Sequence, residues 1–342
     1  MRECHRVVSA KRLGCWLSSS TCAITRPSIR RGLFRCRADP RLLYQAETAY
    51  NSVQVIEVPE DATAPDIKPL AGSRLMLLDQ TGYIHSVWKP EPQITRSYWD
   101  LLACLPALTR PLEGPLGILG LGAGTLARMV HKYYPAQRME GWELDPAVVM
   151  AGRMFMSLGE LESSGRLQVH TGDAFAPAAS LPGPLFTSLA VDVFSGGRLP
   201  DTLLQPATWQ AIKGRLRGEA GARVMVNLGQ ASGPSAAGLG QVEGSSLVSG
   251  AQATSLALQA MLQVFGEGQV SFIETRNLDD PSDRHSNCVA VTGCCEALAT
   301  AWRLENLPTE LAFLAQQYRW TPATKGEGPD EDTLAELSAL FR

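Results

Sequence analysis

The chain has 342 residues, enough for one large or two modest domains. Its hydrophobic content of 45% and charged content of 19% are ordinary for a soluble globular protein, and no apolar run approaches the roughly 18 residues of a membrane-spanning helix. The net charge of −3 conceals an asymmetry, because residues 1–37 carry nine basic residues and one acid. The remainder has 22 basic and 33 acidic residues, a net charge of −11, which argues against a nucleic-acid-binding surface.

Residues 1–37 are rich in Arg, Ser and Cys and lack a long apolar core, a pattern typical of an organelle transit peptide rather than a secretory signal. The sequence FRCRA at 34–38 resembles a plastid processing site. We therefore predict a chloroplast protein, with a mitochondrial address or an untargeted basic tail as alternatives.

Four of the eight cysteines fall in this first segment. The others are Cys104, Cys288, Cys294 and Cys295. They form no CxxC pair and indicate neither a disulfide framework nor a zinc site, so we predict no metal.

A small β region is predicted first, after a loose lead-in at 38–51. Its strands are predicted at 52–58, 74–79 and 83–88. Thr81-Gly82 is a plausible hairpin turn between the last two, so residues 50–95 are predicted to form an antiparallel domain. A helix at 97–108 follows, bent or ended near Pro106.

The most informative stretch is a glycine turn between a buried strand at 116–121 and a helix at 125–134. Glycines here allow a sharp turn and the close approach of a ligand: Gly120, Gly122 and Gly124. The next strand, at 138–142, ends at Glu143, whose carboxylate can accept both hydroxyls of a ribose. The pattern predicts a nucleoside site. A glycine turn without a nucleoside is the alternative. A nicotinamide dehydrogenase is disfavoured because the third glycine of the GxGxxG motif is displaced and Thr125 takes its place.

Strands and helices then alternate, which predicts a doubly wound, mostly parallel, seven-stranded sheet of an α/β fold over 96–300. The further strands are predicted at 167–171, 188–193, 222–228, 269–274 and 287–292, the last two antiparallel. The helices are predicted at 146–156, 206–216 and 253–265. Residues 229–250 are rich in Gly and Ser and predict a flexible insertion. Two helices, at 308–318 and 332–341, close the C-terminal region 301–342.

Acidic or small residues fall at the carboxyl ends of four successive strands, the edge where α/β sheets bind ligands. They are the glycine turn, Glu143, Asp173 and Asp192. This series resembles the Rossmann-like class I AdoMet-dependent transferase fold. The resemblance implies that Glu143 holds the ribose, that Asp173 beside Ala174 holds the adenine amino group, and that the turn passes the methionine-derived tail.

Residues 50–295 resemble more specifically the spermidine-synthase-like family, the polyamine aminopropyltransferases and their relatives. The matching pieces, in family order, are VQVIEV with Gln54, LLDQTGYIHS, YWDLLACLP with Tyr98, GLGAGT, WELDP, HTGDAF and DVFSGGRLPDTLL with Asp192. The resemblance implies an enzyme that uses AdoMet or decarboxylated AdoMet as co-substrate, with Gln54 near the donor. It also implies a small-molecule acceptor such as a polyamine, and a homodimer. Nucleic-acid and membrane partners are not expected.

The chain departs from the family pattern at the residues that handle the reacting groups. Ala123 replaces the Asp that binds the aminopropyl amine, and Trp99, Val53 and Ser195 replace the family's His, Tyr and second Asp. Ala123 slightly favours methyl over aminopropyl transfer. A true aminopropyltransferase and a non-catalytic nucleoside-binding relative are the alternatives.

Two residues are candidates for the acceptor side. Asp192 is expected to hold the acceptor and take its proton, and Tyr98 to assist with a hydrogen bond. The alternatives are a loop-capping role for Asp192 and interdomain packing for Tyr98 and Trp99.

Overall fold

A computed structural model describes most of the chain after residue 38. The described residues are 39–64, 67–79, 82–91, 94–109, 114–176, 185–218, 221–230, 250–275 and 287–324. The predicted transit peptide at 1–37, most of the predicted insertion at 229–250 and the predicted helix at 332–341 lie outside these residues. No helix among the described ranges is long and apolar enough to cross a membrane.

The chain divides into two compact units, and each is described by itself. The first comprises the described residues up to Trp99, Ile118–Ala176 and Ser195–Gly197. The second comprises Asp100–Gly117, the described residues of 177–194, and those from Arg198 onward. The domain limits predicted at 50–95, 96–300 and 301–342 stay predictions.

The first unit opens with a four-stranded antiparallel sheet in the order β1-β2-β3-β4. Its strands are β1 (Arg41–Glu47), β2 (Ser52–Glu57), β3 (Arg74–Leu77) and β4 (Ser86–Trp88). The loose lead-in predicted at 38–51 is therefore wrong, because Arg41 to Glu47 pair with Glu57 to Ser52. Thr48 closes the hairpin, since its hydroxyl accepts the backbone N–H groups of Tyr50 and Asn51 at 3.0 and 2.8 Å.

The single helix predicted at 97–108 is two short helices, α1 (Tyr98–Leu102) and α2 (Leu105–Leu108). Pro106 stands in the first turn of α2, where its missing N–H would have had no helical partner. The predicted helix is therefore interrupted between Leu102 and Leu105, just before Pro106.

The first unit continues with alternating strands and helices. They are β5 (Leu116–Leu119), α3 (Thr125–Tyr133), β6 (Met139–Glu143), α4 (Pro146–Phe155), α5 (Leu158–Ser163) and β7 (Leu167–Thr171), with β5 at the division between the units. The short helix α5 was not predicted. β6 and β7 pair in parallel from Met139 with Leu167 to Glu143 with Thr171, so both strands end at one edge.

The second unit carries the rest of the α/β pattern. Its elements are β8 (Ser188–Val191), α6 (Pro206–Arg215), β9 (Arg223–Gln230), α7 (Gly250–Phe265), β10 (Val270–Thr275), β11 (Asn287–Thr292), α8 (Cys295–Ala301), α9 (Phe313–Gln317) and β12 (Thr321–Pro322). β8 and β9 are parallel, whereas β10 and β11 are antiparallel as predicted. The helix predicted at 308–318 is shorter, and α8 was missed.

The strand order of the larger sheet is β12-β10-β11-β9-β8-β5-β6-β7. The mixed α/β fold with a mostly parallel sheet after a small antiparallel one is thus confirmed. The eighth strand is the two-residue β12, which pairs with Ser271 and Phe272 at the edge and is too short for a sequence pattern to indicate.

Candidate nucleoside-binding site

The glycine turn follows β5 and is held against β6. Gly120, Gly122 and Gly124 have φ of 88°, 55° and 86°, the left-handed region that favours glycine. The N–H groups of Gly120 and Leu121 both donate to the carbonyl of Trp142, at 3.0 and 2.8 Å. The turn therefore has a fixed position beside the end of β6.

Glu143, the last residue of β6, uses both carboxylate oxygens to hold this edge. Oε2 accepts the N–H of Gly122 at 2.9 Å, and Oε1 accepts the N–H of Asp145 at 3.0 Å. Burial raises the pKa of Glu143, and these backbone hydrogen bonds partly oppose the rise. Each oxygen keeps acceptor capacity for a ligand hydroxyl, because a carboxylate has about four lone-pair sites.

Asp145, which the sequence analysis did not single out, donates its backbone N–H to Glu143 and is itself held by several hydrogen bonds. Its carboxylate caps α4 by accepting the N–H of Ala147 at 2.9 Å. It also accepts the Thr48 hydroxyl at 2.6 Å and the Asn51 amide at 2.9 Å, and it is fully buried. An Asp directly before Pro146 is an N-cap signal that could have revealed it.

Two hydroxyl groups join β4 to the glycine turn. Ser86 Oγ accepts the N–H of Ala123 at 2.9 Å. Thr125 Oγ1 accepts the N–H of Val87 at 2.8 Å and lies 3.1 Å from the carbonyl oxygen of Val87, to which it donates. The small antiparallel sheet thus positions the turn, and no local sequence pattern indicates such partners.

Arg128, on α3, ties three segments together. Its guanidinium donates to the carbonyls of Ala123 at 2.7 Å, Met156 at 2.8 Å and Val87 at 2.8 Å. Burial lowers the pKa of Arg128 to about 9, which leaves the group charged at neutral pH. The sequence analysis missed Arg128 because an Arg within a helix usually lies on the solvated face.

Asp173 and Ala174 follow β7 at the same edge as Glu143. The N–H of Gly172 donates to the carbonyl of Glu143 at 2.8 Å, which holds the loop against β6. Asp173 is exposed, and its Oδ1 accepts the N–H of Phe175 at 2.8 Å. The structure thus brings Glu143, Asp173 and the glycine turn to one edge of the first unit, and the adenine role of Asp173 stays a prediction.

Solved structures with this fold include spermidine synthases. The chain aligns with the enzyme from Thermotoga maritima at a TM-score of 0.52 and 14% identity, over 74% of this chain and 72% of that one. It aligns with a probable spermidine synthase from Corynebacterium glutamicum at a TM-score of 0.55 and 16% identity, over 84% and 97%. At these identities the likeness shows the fold.

Sequence comparison finds similarity to polyamine aminopropyltransferases and to a methyltransferase. The chain is 31% identical over 118 residues to a probable polyamine aminopropyl transferase of Bifidobacterium longum, 34% of this chain and 24% of the relative. It is 29% identical over 118 residues to a polyamine aminopropyltransferase of Vibrio vulnificus, 33% and 38%. It is 32% identical over 103 residues to an eEF1A lysine and N-terminal methyltransferase of Mus musculus, 28% and 14%.

The chain is thus similar over part of its length to polyamine aminopropyltransferases and methyltransferases, and it shares its fold with spermidine synthases. The match spans less than two fifths of the length of each of these curated relatives. No protein-family model matches the chain.

Ala123 is the position at which the chain departs most visibly from the pattern expected by resemblance to the spermidine-synthase-like family. This residue is fully buried and belongs to an apolar cluster of the first unit. The other buried members are Val53, Val55, Met76, Val148, Ala151 and Met156. A carboxylate at position 123 would be desolvated among them, which costs several kcal/mol in order of magnitude unless it is paired.

Gln54 and the aromatic pair Tyr98–Trp99 also belong to the first unit. Gln54 is buried on β2, and its neighbours Val53 and Val55 point to the opposite face, into the apolar cluster. The rings of Tyr98 and Trp99 are 4.9 Å apart, with Trp99 buried and Tyr98 partly exposed. The predicted ligand contacts of Gln54 and Tyr98 stay predictions.

Asp192 belongs to the second unit, one residue past β8. Its Oδ1 accepts a hydrogen bond from the Asn227 amide at 3.0 Å, and Asn227 in turn accepts the N–H of Gly229 at 3.0 Å. One oxygen of Asp192 is therefore already engaged in holding the end of β9. Among the described residues, no group of three or more His, Cys, Asp or Glu side chains could hold a metal ion.

Proposed function

We propose that this spermidine-synthase-like protein is a transferase that binds an AdoMet-type sulfonium nucleoside and passes a small alkyl group to an amine or another small acceptor. Glu143 is the observation that carries the proposal. It is a buried carboxylate at the end of a parallel strand, bonded through Oε2 to the glycine turn and through Oε1 to the following loop. That arrangement suits the two hydroxyls of a ribose.

The chemistry is an in-line displacement at the carbon attached to the sulfonium sulfur. The leaving group is a neutral thioether, so the enzyme mainly has to align acceptor, carbon and sulfur, an effect worth roughly 7–11 kcal/mol. An amine acceptor has an unperturbed pKa near 10, so the site must also remove a proton before attack. The glycine turn, fixed by Ser86 and Arg128, would align the donor tail.

Methyl transfer is the form we favour. Ala123 offers no carboxylate for the amine of a decarboxylated donor, and its side chain lies in an apolar cluster. Aminopropyl transfer is the second candidate, favoured by the two bacterial relatives named polyamine aminopropyltransferases. A polyamine or similar small amine suits either form as the acceptor. A non-catalytic nucleoside-binding protein is the remaining alternative, because most acceptor-side residues of the family are replaced.

Two further proposals come from the sequence. Residues 1–37 would direct the protein to the chloroplast, and fusion of this segment to a fluorescent protein tests that address against the mitochondrion. A homodimer is expected by resemblance to the family, and the molar mass in solution tests it.

The first experiment is a calorimetric titration of the full chain with AdoMet and with decarboxylated AdoMet in parallel. Tighter binding of AdoMet would support methyl transfer, and tighter binding of the decarboxylated form would replace it with aminopropyl transfer. Binding of neither would reject the proposed function. Glu143→Ala should weaken donor binding about 10- to 100-fold, since a hydrogen bond to a charged group contributes about 1.5–3 kcal/mol. Glu140→Ala, on the same strand, is the matched control.

A further inference from the structure

The loop between β3 and β4 brings a histidine and a carboxylate together. His85 Nε2 lies 3.4 Å from Asp79 Oδ2, and the two side chains are 21% and 19% exposed. Nε2 is buried, and among the described residues it makes no hydrogen bond of normal geometry. The N–H of His85 donates to the carbonyl of Met76 at 2.8 Å, which fixes this residue against β3. Catalytic hydrogen bonds are often long in the absence of substrate and shorten when it binds.

The backbone of His85 lies beside the glycine turn. The residue after His85 is Ser86, whose hydroxyl holds the N–H of Ala123. A Cβ placed on Gly122 would lie 3.6 Å from the carbonyl oxygen of His85. The backbone of His85 therefore contacts the turn that is expected to pass the reactive end of the donor.

The pair also faces Ser195–Gly197, a segment of the first unit. A Cβ placed on Gly197 would lie 3.9 Å from Asp79 Oδ2. The segment belongs to the DVFSGG stretch, where Ser195 stands in place of the second Asp of the family's acceptor loop. Asp79 thus places a carboxylate close to this segment, and His85 lies beside that carboxylate.

We propose that His85, oriented by Asp79, is the general base that removes the proton from the acceptor; this inference rests on the proposed function. Asp79 accepts the Nε2–H of the neutral imidazole, which leaves the lone pair of Nδ1 for the acceptor N–H or O–H. As the acceptor lone pair forms a bond to the donor carbon, the carbon–sulfur bond breaks and its electron pair stays on sulfur. The acceptor proton moves to Nδ1, and Asp79 stabilises the imidazolium until solvent takes the proton.

A second histidine–carboxylate pair provides the contrast. His170 Nε2 lies 3.1 Å from Glu140 Oε2, with side chains 24% and 19% exposed, so its burial is similar. Its ring stacks on Trp142 at 4.5 Å, and the pair spans the neighbouring strands β6 and β7. His170→Gln is therefore a matched control for His85→Gln.

The kinetic test uses labelled AdoMet and labelled decarboxylated AdoMet with putrescine and spermidine as acceptors. In His85→Gln, we expect kcat to fall about 100- to 10,000-fold, the usual contribution of a general base, with donor Kd within about threefold of wild type. Asp79→Asn should lower kcat at least tenfold, because it removes the carboxylate charge that stabilises the imidazolium and lets an amide N–H donate to Nε2. His170→Gln should keep kcat within about threefold.

A spectroscopic test does not depend on the acceptor. In ¹⁵N NMR of the full chain, neutral His85 should carry its proton on Nε2, and Asp79→Asn should shift the tautomer balance toward Nδ1–H. Neutral His85 with its proton on Nδ1 would overturn the inference, as would wild-type kcat in His85→Gln. Failure of the wild-type protein to bind either donor would instead reject the proposed function and this inference with it. Donor binding with an unchanged transfer rate in His85→Gln would reject the inference alone.

Discussion

Gly122 faces Ser86 so closely that a Cβ on the glycine would lie 2.7 Å from the serine hydroxyl oxygen. Gly122 also has φ of 55°. Gly122→Ala therefore meets a steric overlap in addition to backbone strain. We expect it to lower the free energy of unfolding by about 3 kcal/mol, of which about 1–2 kcal/mol is strain. Chemical denaturation of the variant measures this loss.

Gly196 is the matched control for this substitution, since its φ is 54° and nothing lies within 4 Å of its Cβ position. Gly196→Ala should show the strain alone. Ser86→Ala in the Gly122→Ala background removes the overlapping oxygen and should restore part of the lost stability. Equal losses for the two alanine variants would show that the turn does not press against β4.

A second prediction concerns Arg128, which holds the same glycine turn. Arg128→Lys keeps the charge but loses the planar fork that reaches three carbonyls. We expect a loss of about 2–3 kcal/mol in the free energy of unfolding. Donor affinity should fall as well, because the carbonyl of Ala123 in the glycine turn is released. Denaturation and calorimetric titration measure the two effects.

Arg153→Lys supplies the comparison, because Arg153 forms an ion pair with Glu162 at 2.7 Å and its side chain is 48% exposed. That substitution should change stability by less than about 0.5 kcal/mol. A similar small change for Arg128→Lys would mean that the buried guanidinium does not brace the turn.

The parts of the site that could be predicted are those encoded locally. A buried strand, glycines and an acid at the end of the next strand indicate the turn and Glu143, because backbone conformation and strand direction set their positions. Arg128 and Ser86 could not be predicted in the same way. Their partners are backbone groups up to 41 residues away, and only the folded packing selects them.

The strand β1 could not be predicted for a related physical reason. The sequence RLLYQAE of β1 has no regular alternation of apolar and polar residues, and all of its positions are exposed or half-buried. Its strand form depends on pairing with β2 and on the Thr48 turn. Asp192, in the second unit, was expected to serve the acceptor; one of its oxygens accepts a hydrogen bond from Asn227, and the acceptor role stays a prediction.

Asp145 predicts a coupling between the β1–β2 turn and the nucleoside edge. Asp145→Ala removes the α4 cap and deprives the partly buried Thr48 hydroxyl and Asn51 amide of this acceptor. We expect a loss of about 3 kcal/mol in the free energy of unfolding. Thr48→Val should lower the free energy of unfolding by about 1–2 kcal/mol. The double variant should lose about 1 kcal/mol less than the sum of the two single losses.

Thr300→Val is the control, because the Thr300 hydroxyl bonds only the carbonyl of Glu296 within an exposed helix, as far as the described residues show. It should change stability by less than about 0.5 kcal/mol. Strict additivity of Asp145→Ala and Thr48→Val would show that the 2.6 Å hydrogen bond between them does not contribute to folding.

The raised pKa of Glu143 leads us to expect opposite pH dependences for folding stability and for donor binding. Burial raises its pKa in the folded, donor-free protein above the ordinary value of 4.5. The folded state therefore binds the proton more tightly than the unfolded state, so the contribution of this group to stability is complete below pH 4.5 and is lost as the pH rises through the folded-state pKa. A ribose hydroxyl prefers the ionised carboxylate as acceptor, so AdoMet affinity should rise over that same interval.

Glu143→Gln should remove the contribution of residue 143 to both slopes, since an amide does not titrate. Denaturation of the donor-free protein and calorimetric titration with AdoMet, each from pH 4.5 to 7, measure the difference between wild type and variant. Subtracting the variant removes the contribution of the other titrating groups that both proteins share. AdoMet affinity that differs between the two proteins by a constant factor at every pH would contradict the prediction, because it would place the ionisation of Glu143 outside this interval.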